Sequence, residues 1–98
     1  MLTVTISPSV VPPNTTGEQT FTVQGLQLGD FCEVNKPTTQ TGLGIVNSRV
    51  SSANTLAIAF VNATGATITP TANETYYCAV SRPENLSSTN NSTLIQIT

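Results

Sequence analysis

The chain contains no histidine and no tryptophan, and charged side chains make up only 8% of its 98 residues. An average soluble domain carries about 25% charged residues. Histidine is the side chain whose ordinary pKa lies nearest to neutral pH, so its absence removes most acid–base and nucleophilic catalysis. Three basic residues stand against five acidic ones, which gives a net charge of −2. The clustered lysines and arginines that bind nucleic acids or anionic membranes are therefore missing.

Long apolar runs are also missing. No stretch approaches the roughly 20 residues of a membrane-spanning helix. Residues 1–5 lack the basic and apolar regions of a secretion signal, so we expect none. Asp30 and Glu33 lie an odd number of positions apart and would point to opposite faces of a strand, which argues against a catalytic carboxylate pair. We predict no enzymatic activity, no metal ion, no cofactor and no small-molecule substrate.

Threonine, serine and asparagine take the place of charge. Threonine favours strands, whereas asparagine, serine and glycine favour turns. Apolar and polar residues alternate with a period of two in short segments, separated by turn residues at about the 8–12-residue spacing of sandwiches and barrels. The sequence predicts one all-β domain over residues 1–98. We expect a two-sheet antiparallel β-sandwich of seven to eight strands, immunoglobulin-like or jelly-roll-like, with no helices of note; a closed barrel is the alternative.

The alternation also places the individual strands and the core. The predicted strands cover residues 2–6, 20–24, 31–34, 45–50, 55–61, 66–69, 76–80 and 93–98. The predicted core consists of Leu2, Val4, Phe21, Val23, Val34, Val46, Leu56, Ile58, Phe60, Tyr76 and Val80. Ala57 and Ala59, on the opposite face of their strand, are expected to permit close approach of another surface. Phe31 and Tyr77 are expected to point outward.

The two cysteines, Cys32 and Cys78, are both predicted on inward strand faces. A disulfide between the two sheets is one alternative. A free cysteine, however, behaves as a small buried hydrophobe. A chain without a secretion signal is made in a reducing compartment, where disulfides are rare. We therefore predict two buried thiols rather than a disulfide.

Between Phe21 and Val80 the sequence resembles small structural proteins encoded by tailed bacteriophages and prophages. The resembling pieces are residues 23–31 (VQGLQLGDF), 35–38 (NKPT), 42–50 (GLGIVNSRV), 54–65 (NTLAIAFVNATG) and 68–70 (ITP). Related sequences usually carry aliphatic residues at the positions of Cys32 and Cys78, which agrees with two buried thiols.

The resemblance implies a virion protein. A fibre protein would normally be longer and carry stems or repeats, so the short chain favours a capsid decoration (cement) protein. Such a protein binds the outer surface of the major capsid protein shell, stabilises it, and is made in the cytoplasm of the host bacterium. We expect it on the capsid exterior as a homotrimer, with no nucleic acid or membrane partner. The alternative is a small tail-fibre or tail-associated adhesion module that contacts host surface glycans.

The two ends of the chain, residues 1–13 and 93–98, lie outside the resembling part. They are predicted as possible interaction arms, because strand addition to a neighbour gives affinity through main-chain hydrogen bonds without charge. Arg49 and Arg82 are expected to form ion pairs rather than to bind phosphate. The candidate partner contacts are Leu2, Val4, Pro12, Pro13, Lys36, Arg49, Arg82, Ile95 and Ile97.

Overall fold

The structure, a computed structural model, describes residues 1–83. In this part of the chain it contains six β-strands and no helix. The strands are β1 (Leu2–Ile6), β2 (Thr15–Thr22), β3 (Phe31–Asn35), β4 (Leu43–Ser52), β5 (Thr55–Asn62) and β6 (Glu74–Ser81). The predicted all-β class is confirmed. The predicted strand and arm over 93–98, with the candidate contacts Ile95 and Ile97, lies outside the described residues.

The strands form two three-stranded antiparallel sheets. The first sheet has the order β1-β6-β3 and the second sheet the order β2-β5-β4. Their inner faces share one hydrophobic core, to which the first sheet contributes Tyr76 and Cys78 and the second sheet Leu56, Ile58 and Phe60. The arrangement is sandwich-like, because each sheet buries one face against the other and keeps one face outward.

The predicted core is largely the observed one. Five of its members, Val23, Leu56, Ile58, Phe60 and Tyr76, are buried. Five others, Leu2, Val4, Phe21, Val34 and Val80, are partly buried and pack against the core. Alternation along a strand is a reliable guide to the buried face wherever the ladder is regular.

Val46 is the exception, because its side chain is 56% exposed. Ile45 pairs with Phe60 and Asn47 pairs with Ala59, so Val46 is an extra residue in β4 with no partner in β5. Such a bulge shifts the alternation by one residue. Ile45 therefore packs against the core instead, and the prediction that Val46 is a core residue is wrong.

The N-terminal segment is part of the sandwich. β1 pairs with β6 along its whole length, from Leu2 opposite Cys78 to Ile6 opposite Glu74. The chain then crosses to the second sheet, where the Gln19 side chain accepts a hydrogen bond from the Ser9 nitrogen (2.8 Å) and donates one to the Ser9 oxygen (3.0 Å). A role of residues 1–13 as an arm that also contacts a neighbouring molecule stays a prediction.

Residues 66–69 form a loop rather than the predicted strand. Only Ile68 is paired, through two backbone hydrogen bonds with the buried Val11. The fully buried Asn62 contributes to the difference, because its Nδ2 donates to the carbonyl oxygen of Ala66 (2.8 Å). It also donates to the Val11 oxygen (3.0 Å), which still accepts from Ile68 N. A side chain that takes over backbone acceptors in this way competes with a strand ladder.

The two cysteines are free and lie in the same sheet, Cys32 on β3 and Cys78 on β6. Cys32 pairs with Val80, and Cys78 pairs with Val34, so the thiols are diagonal neighbours. Diagonal positions of a sheet are about 7–8 Å apart, beyond the usual Cα separation of about 4.4–6.8 Å in a disulfide. The geometry is therefore not that of a bridge between sheets. Burial raises the pKa of both thiols.

Candidate binding faces

The outer face of the first sheet carries two exposed aromatic rings. Alternation along β3 and β6 turns Phe31, Glu33, Asn35, Tyr77 and Ala79 away from the core, and we call these five residues the aromatic face. Phe31 is 68% exposed and Tyr77 is 44% exposed. The predicted outward orientation of both rings is confirmed.

The strand register fixes the layout of the aromatic face. Phe31 lies opposite Ser81 and Tyr77 lies opposite Asn35, so the rings are four residues apart along β6. At about 3.4 Å per residue this separation is about 14 Å. Ala79 and Glu33 pair between them. Because Ala79 ends at Cβ, two adjoining shallow depressions form here, and both are lined by Ala79 and Glu33. One depression extends to Phe31 and the other to Tyr77.

The outer face of the second sheet is closed by an ion pair. Ala57 and Ala59 of β5 lie between Glu18 on β2 and Arg49 on β4, and we call these four residues the alanine face. Arg49 reaches across β5 and donates from Nε to Glu18 Oε2 (2.8 Å) and from a terminal nitrogen to Oε1 (2.9 Å). The hydrogen bonds from Arg49 lower the pKa of Glu18.

This bidentate pair changes the role expected for the alanines. Ala57 has no exposed surface and Ala59 has 9%. The protein's own side chains therefore fill the space that the sequence assigned to another surface. Small residues on the central strand allow the long side chains of the two outer strands to meet above them.

A second ion pair holds the start of β3. Arg82 donates from Nε to Asp30 Oδ1 (2.8 Å) and from a terminal nitrogen to Oδ2 (2.9 Å), and Gln27 N also donates to Oδ2 (2.9 Å). These hydrogen bonds, led by those from Arg82, lower the pKa of Asp30 to about 2. The Asp30 side chain is 1% exposed. Since Phe31 follows directly, this cluster fixes one end of the aromatic face.

A third ion pair, which is largely buried, lies at the other end of β6. Lys36 Nζ is 3.1 Å from Glu74 Oε1, and both side chains are 10% exposed. The Thr38 hydroxyl donates to Glu74 Oε2. This bond is the main cause of a lowered pKa of Glu74, and Lys36 lowers it further. All three basic residues of the chain are thus engaged with carboxylates of the same chain.

Tyr76 is a buried polar group without a partner. Its ring belongs to the core, and its hydroxyl finds no hydrogen-bond partner among residues 1–83. Burial, together with the nearby negative charge of Glu74, raises the pKa of Tyr76 to about 12. The hydroxyl carries a desolvation cost that no hydrogen bond from residues 1–83 offsets.

The candidate contacts that lie within residues 1–83 do not form one surface. Leu2 and Val4 are half-buried on the inner face of β1, while Pro12 is exposed and Pro13 half-buried in the segment that crosses between the sheets. The three basic candidates lie at three separate places: Arg49 on the alanine face, and Arg82 and Lys36 near opposite ends of β6. The predicted ion pairs of Arg49 and Arg82 are present.

Part of the aromatic face was not predicted from the sequence. The alternation predicts that Phe31 and Tyr77 point outward, but it does not connect them with Asn35 and Ala79. The signal was available in the alternation, since Asn35 is an even number of positions from Phe31 and Ala79 an even number from Tyr77. The missing information was the register that places the two rows side by side.

No protein-family model matches the chain, and no curated protein or solved structure matches it. Among residues 1–83, no helix is long and apolar enough to cross a membrane. The same residues contain no group of three or more histidine, cysteine, aspartate or glutamate side chains placed to hold a metal ion.

Proposed function

We propose that this protein is a non-enzymatic structural component of a bacteriophage virion, a capsid decoration (cement) protein. It binds the outer surface of the major capsid protein shell and stabilises it. The resemblance of residues 21–80 to small structural proteins of tailed phages supports this role. The main structural observation in its favour is that each of the three basic side chains forms an ion pair with a carboxylate of the same chain.

What remains on the outer faces is mostly uncharged. Threonines line both of them, among them Thr3 and Thr5 on β1 and Thr20 and Thr22 on β2. A surface of this kind attaches through hydroxyl, backbone and apolar contacts. Salt screens ionic pairs but not these contacts, so attachment to the shell and to further copies of the chain depends only weakly on ionic strength.

We also propose that the domain is an immunoglobulin-like sandwich. The neighbour relations β2-β5-β4 and β3-β6 support this, because they correspond to the B-E-D and C-F neighbours of that fold. β1 departs from the pattern, since it lies beside β6 where the last strand of an immunoglobulin domain is found.

The test is the number of copies in the virion and the behaviour of particles that lack the protein. A decoration protein is present in a copy number that follows the symmetry of the shell, whereas a tail protein is present in a small multiple set by the tail. Particles without it are expected to assemble but to burst at a lower temperature. Added protein should restore them equally at low and high salt. Normal stability of the depleted particles contradicts the proposal.

The aromatic face supports a second candidate, an adhesion module for neutral glycans. The electron-rich faces of Phe31 and Tyr77 attract the polarised C–H bonds of sugar rings, and Glu33 and Asn35 offer hydrogen bonds to hydroxyls. Phe31→Ala and Tyr77→Ala would then each abolish binding to immobilised bacterial surface glycan. Val46→Ala, which removes an exposed apolar side chain from the second sheet, is the matched control. Equal binding by all three variants contradicts this candidate.

A further inference from the structure

Among residues 1–83, β1 is an edge strand with one side open. It pairs with β6 on one side, and within residues 1–83 no backbone hydrogen bond reaches it from the other. The remaining edges have neighbours. Ser9 is bound to β2 through Gln19. β3 and β4 lie side by side, and the Ser48 hydroxyl donates to the Cys32 carbonyl oxygen (2.8 Å).

The open edge of β1 lacks the usual protection. Natural edge strands are shielded by charged side chains, proline or bulges. Leu2–Ile6 contains no charged residue and no proline, and its register with β6 is unbroken. Its only safeguard is its length of five residues. A strand of this kind is a template for pairing with another strand.

The sequence of β1, LTVTI, is complementary to itself. If a second copy approaches antiparallel around a two-fold axis at Val4, Leu2 lies opposite Ile6, and Thr3 lies opposite Thr5. Apolar residues then meet on the inner side and threonines on the outer side, where Thr–Thr pairs are favourable. A slip by one residue would turn every side chain of the partner strand to the wrong face.

We infer that two copies of the chain join through antiparallel pairing of their β1 strands, centred on Val4. The two first sheets become one continuous sheet of the order β3-β6-β1-β1-β6-β3. Alternation of the backbone groups allows about four to six hydrogen bonds between the strands. This pairing is two-fold, unlike the trimer expected from the sequence. It goes beyond the proposed capsid role, because it needs only the free protein.

The interface is small. Two five-residue strands bury less than the roughly 1,000 Å² typical of a stable complex. The dimer is therefore weak and reversible, and it accumulates at high protein concentration. Sedimentation velocity over a wide range of concentrations should show the full chain passing from monomer to dimer.

Two double variants of the full chain test the register. Thr3→Lys/Thr5→Lys places like charges opposite each other across the two-fold axis, and Thr3→Lys/Thr5→Glu places opposite charges there. Both remove the intramolecular bond between the Thr5 and Thr75 hydroxyls (2.9 Å), so both lose the same contact within the monomer. We expect the Lys/Lys variant to associate at least tenfold more weakly than the Lys/Glu variant. A mixture of the Lys/Lys variant with Thr3→Glu/Thr5→Glu should form the mixed dimer.

Amide hydrogen exchange of the unmodified protein gives a readout that needs no variant. Protection of residues 2–6 that rises with protein concentration supports the pairing. Protection that is independent of concentration in a monomer means that the edge is occupied within the chain, which overturns it. A chain that stays monomeric at every concentration, a trimer, or equal association of the Lys/Lys and Lys/Glu variants also overturns it. None of these results depends on a capsid.

Discussion

The outer faces of the two sheets both arise from the alternation of inward and outward side chains along the strands. One of them is covered by other side chains, and the other is exposed. On the alanine face, long charged side chains on the two outer strands meet across Ala57 and cover it completely. On the aromatic face, Ala79 is equally small and also lies on the central strand, yet it stays exposed. Its neighbour across the strand pair is Glu33, and none of the five residues of this face is basic.

The two faces differ because the few charged side chains of this protein are placed differently on them. A carboxylate that meets a guanidinium in a bidentate pair closes the surface above small residues. A carboxylate beside exposed aromatic rings leaves its surface open to other molecules. Within residues 1–83, one face is therefore covered by the protein's own side chains, and the other is exposed. Four pairs of substitutions, one on the covered or buried side and one on the exposed face, test this distinction.

The largest effect is expected from the two phenylalanines. Phe60→Ala removes a fully buried ring and should lower the free energy of unfolding by about 3–5 kcal/mol. A domain of this size has a total stability of about 5–15 kcal/mol, so the variant would be marginal. Phe31→Ala removes an exposed ring and should change stability by less than about 0.5 kcal/mol. Urea unfolding measures both, and a large loss in Phe31→Ala would mean that the aromatic face is structural.

The second largest effect is expected from substitutions of Ala57 and Ala79, the small residues on the central strands of the two sheets. Ala57→Leu forces a larger side chain beneath the Glu18–Arg49 pair and should cost about 1–3 kcal/mol. Ala79→Leu extends into solvent and should stay within about 0.5 kcal/mol. Thermal unfolding followed by circular dichroism measures the pair. Equal losses would show that the two outer faces do not differ in packing.

The Asp30–Arg82 pair, which lies at one end of the aromatic face, should make the stability of the protein depend on pH in the acid range. The pKa of Asp30 is about 2 in the folded protein, below the ordinary value of 3.8. Its contribution is therefore present above about pH 4 and is lost as the pH falls towards 2. In Asp30→Asn the unfolding temperature should be lower at neutral pH and fall less between these values. Glu33→Gln, on the exposed face, is the control and should keep the wild-type profile.

The smallest effect at neutral pH is expected from the two tyrosines. Tyr76→Phe removes a buried hydroxyl that has no partner in the described residues, so stability should stay equal or rise by up to about 1 kcal/mol. The pKa of Tyr76 is raised from 10 to about 12, so the wild type should lose stability between these pH values and Tyr76→Phe should lose less. Tyr77→Phe, whose hydroxyl is on the exposed face, should follow the wild type. A clear loss in Tyr76→Phe at neutral pH would mean that the hydroxyl is bonded.

Several features could be predicted because they depend on local pattern alone. Between Leu56 and Phe60, large apolar residues alternate with alanine, and this pattern predicts the core. The period of two along β3 and β6 likewise predicts that Phe31 and Tyr77 point outward. The first half of β2, from Thr15 to Gln19, could not be found in this way. It has no apolar alternation, and it is a strand because its backbone pairs with β5.

The all-β class, the position of most strands and the inward side of each regular strand follow from the amino-acid sequence, because a period of two dictates which side chains share a face. Three further features depend on the folded chain: which strands lie side by side, where the bulge at Val46 breaks the period, and which carboxylate each basic residue meets. These are long-range relations between strands far apart in the chain, such as Glu18 with Arg49 and Asp30 with Arg82. Within residues 1–83 the same relations cover one face, leave the other exposed and make β1 an edge strand, since strand order and register are set by packing of the whole domain and not by any single segment.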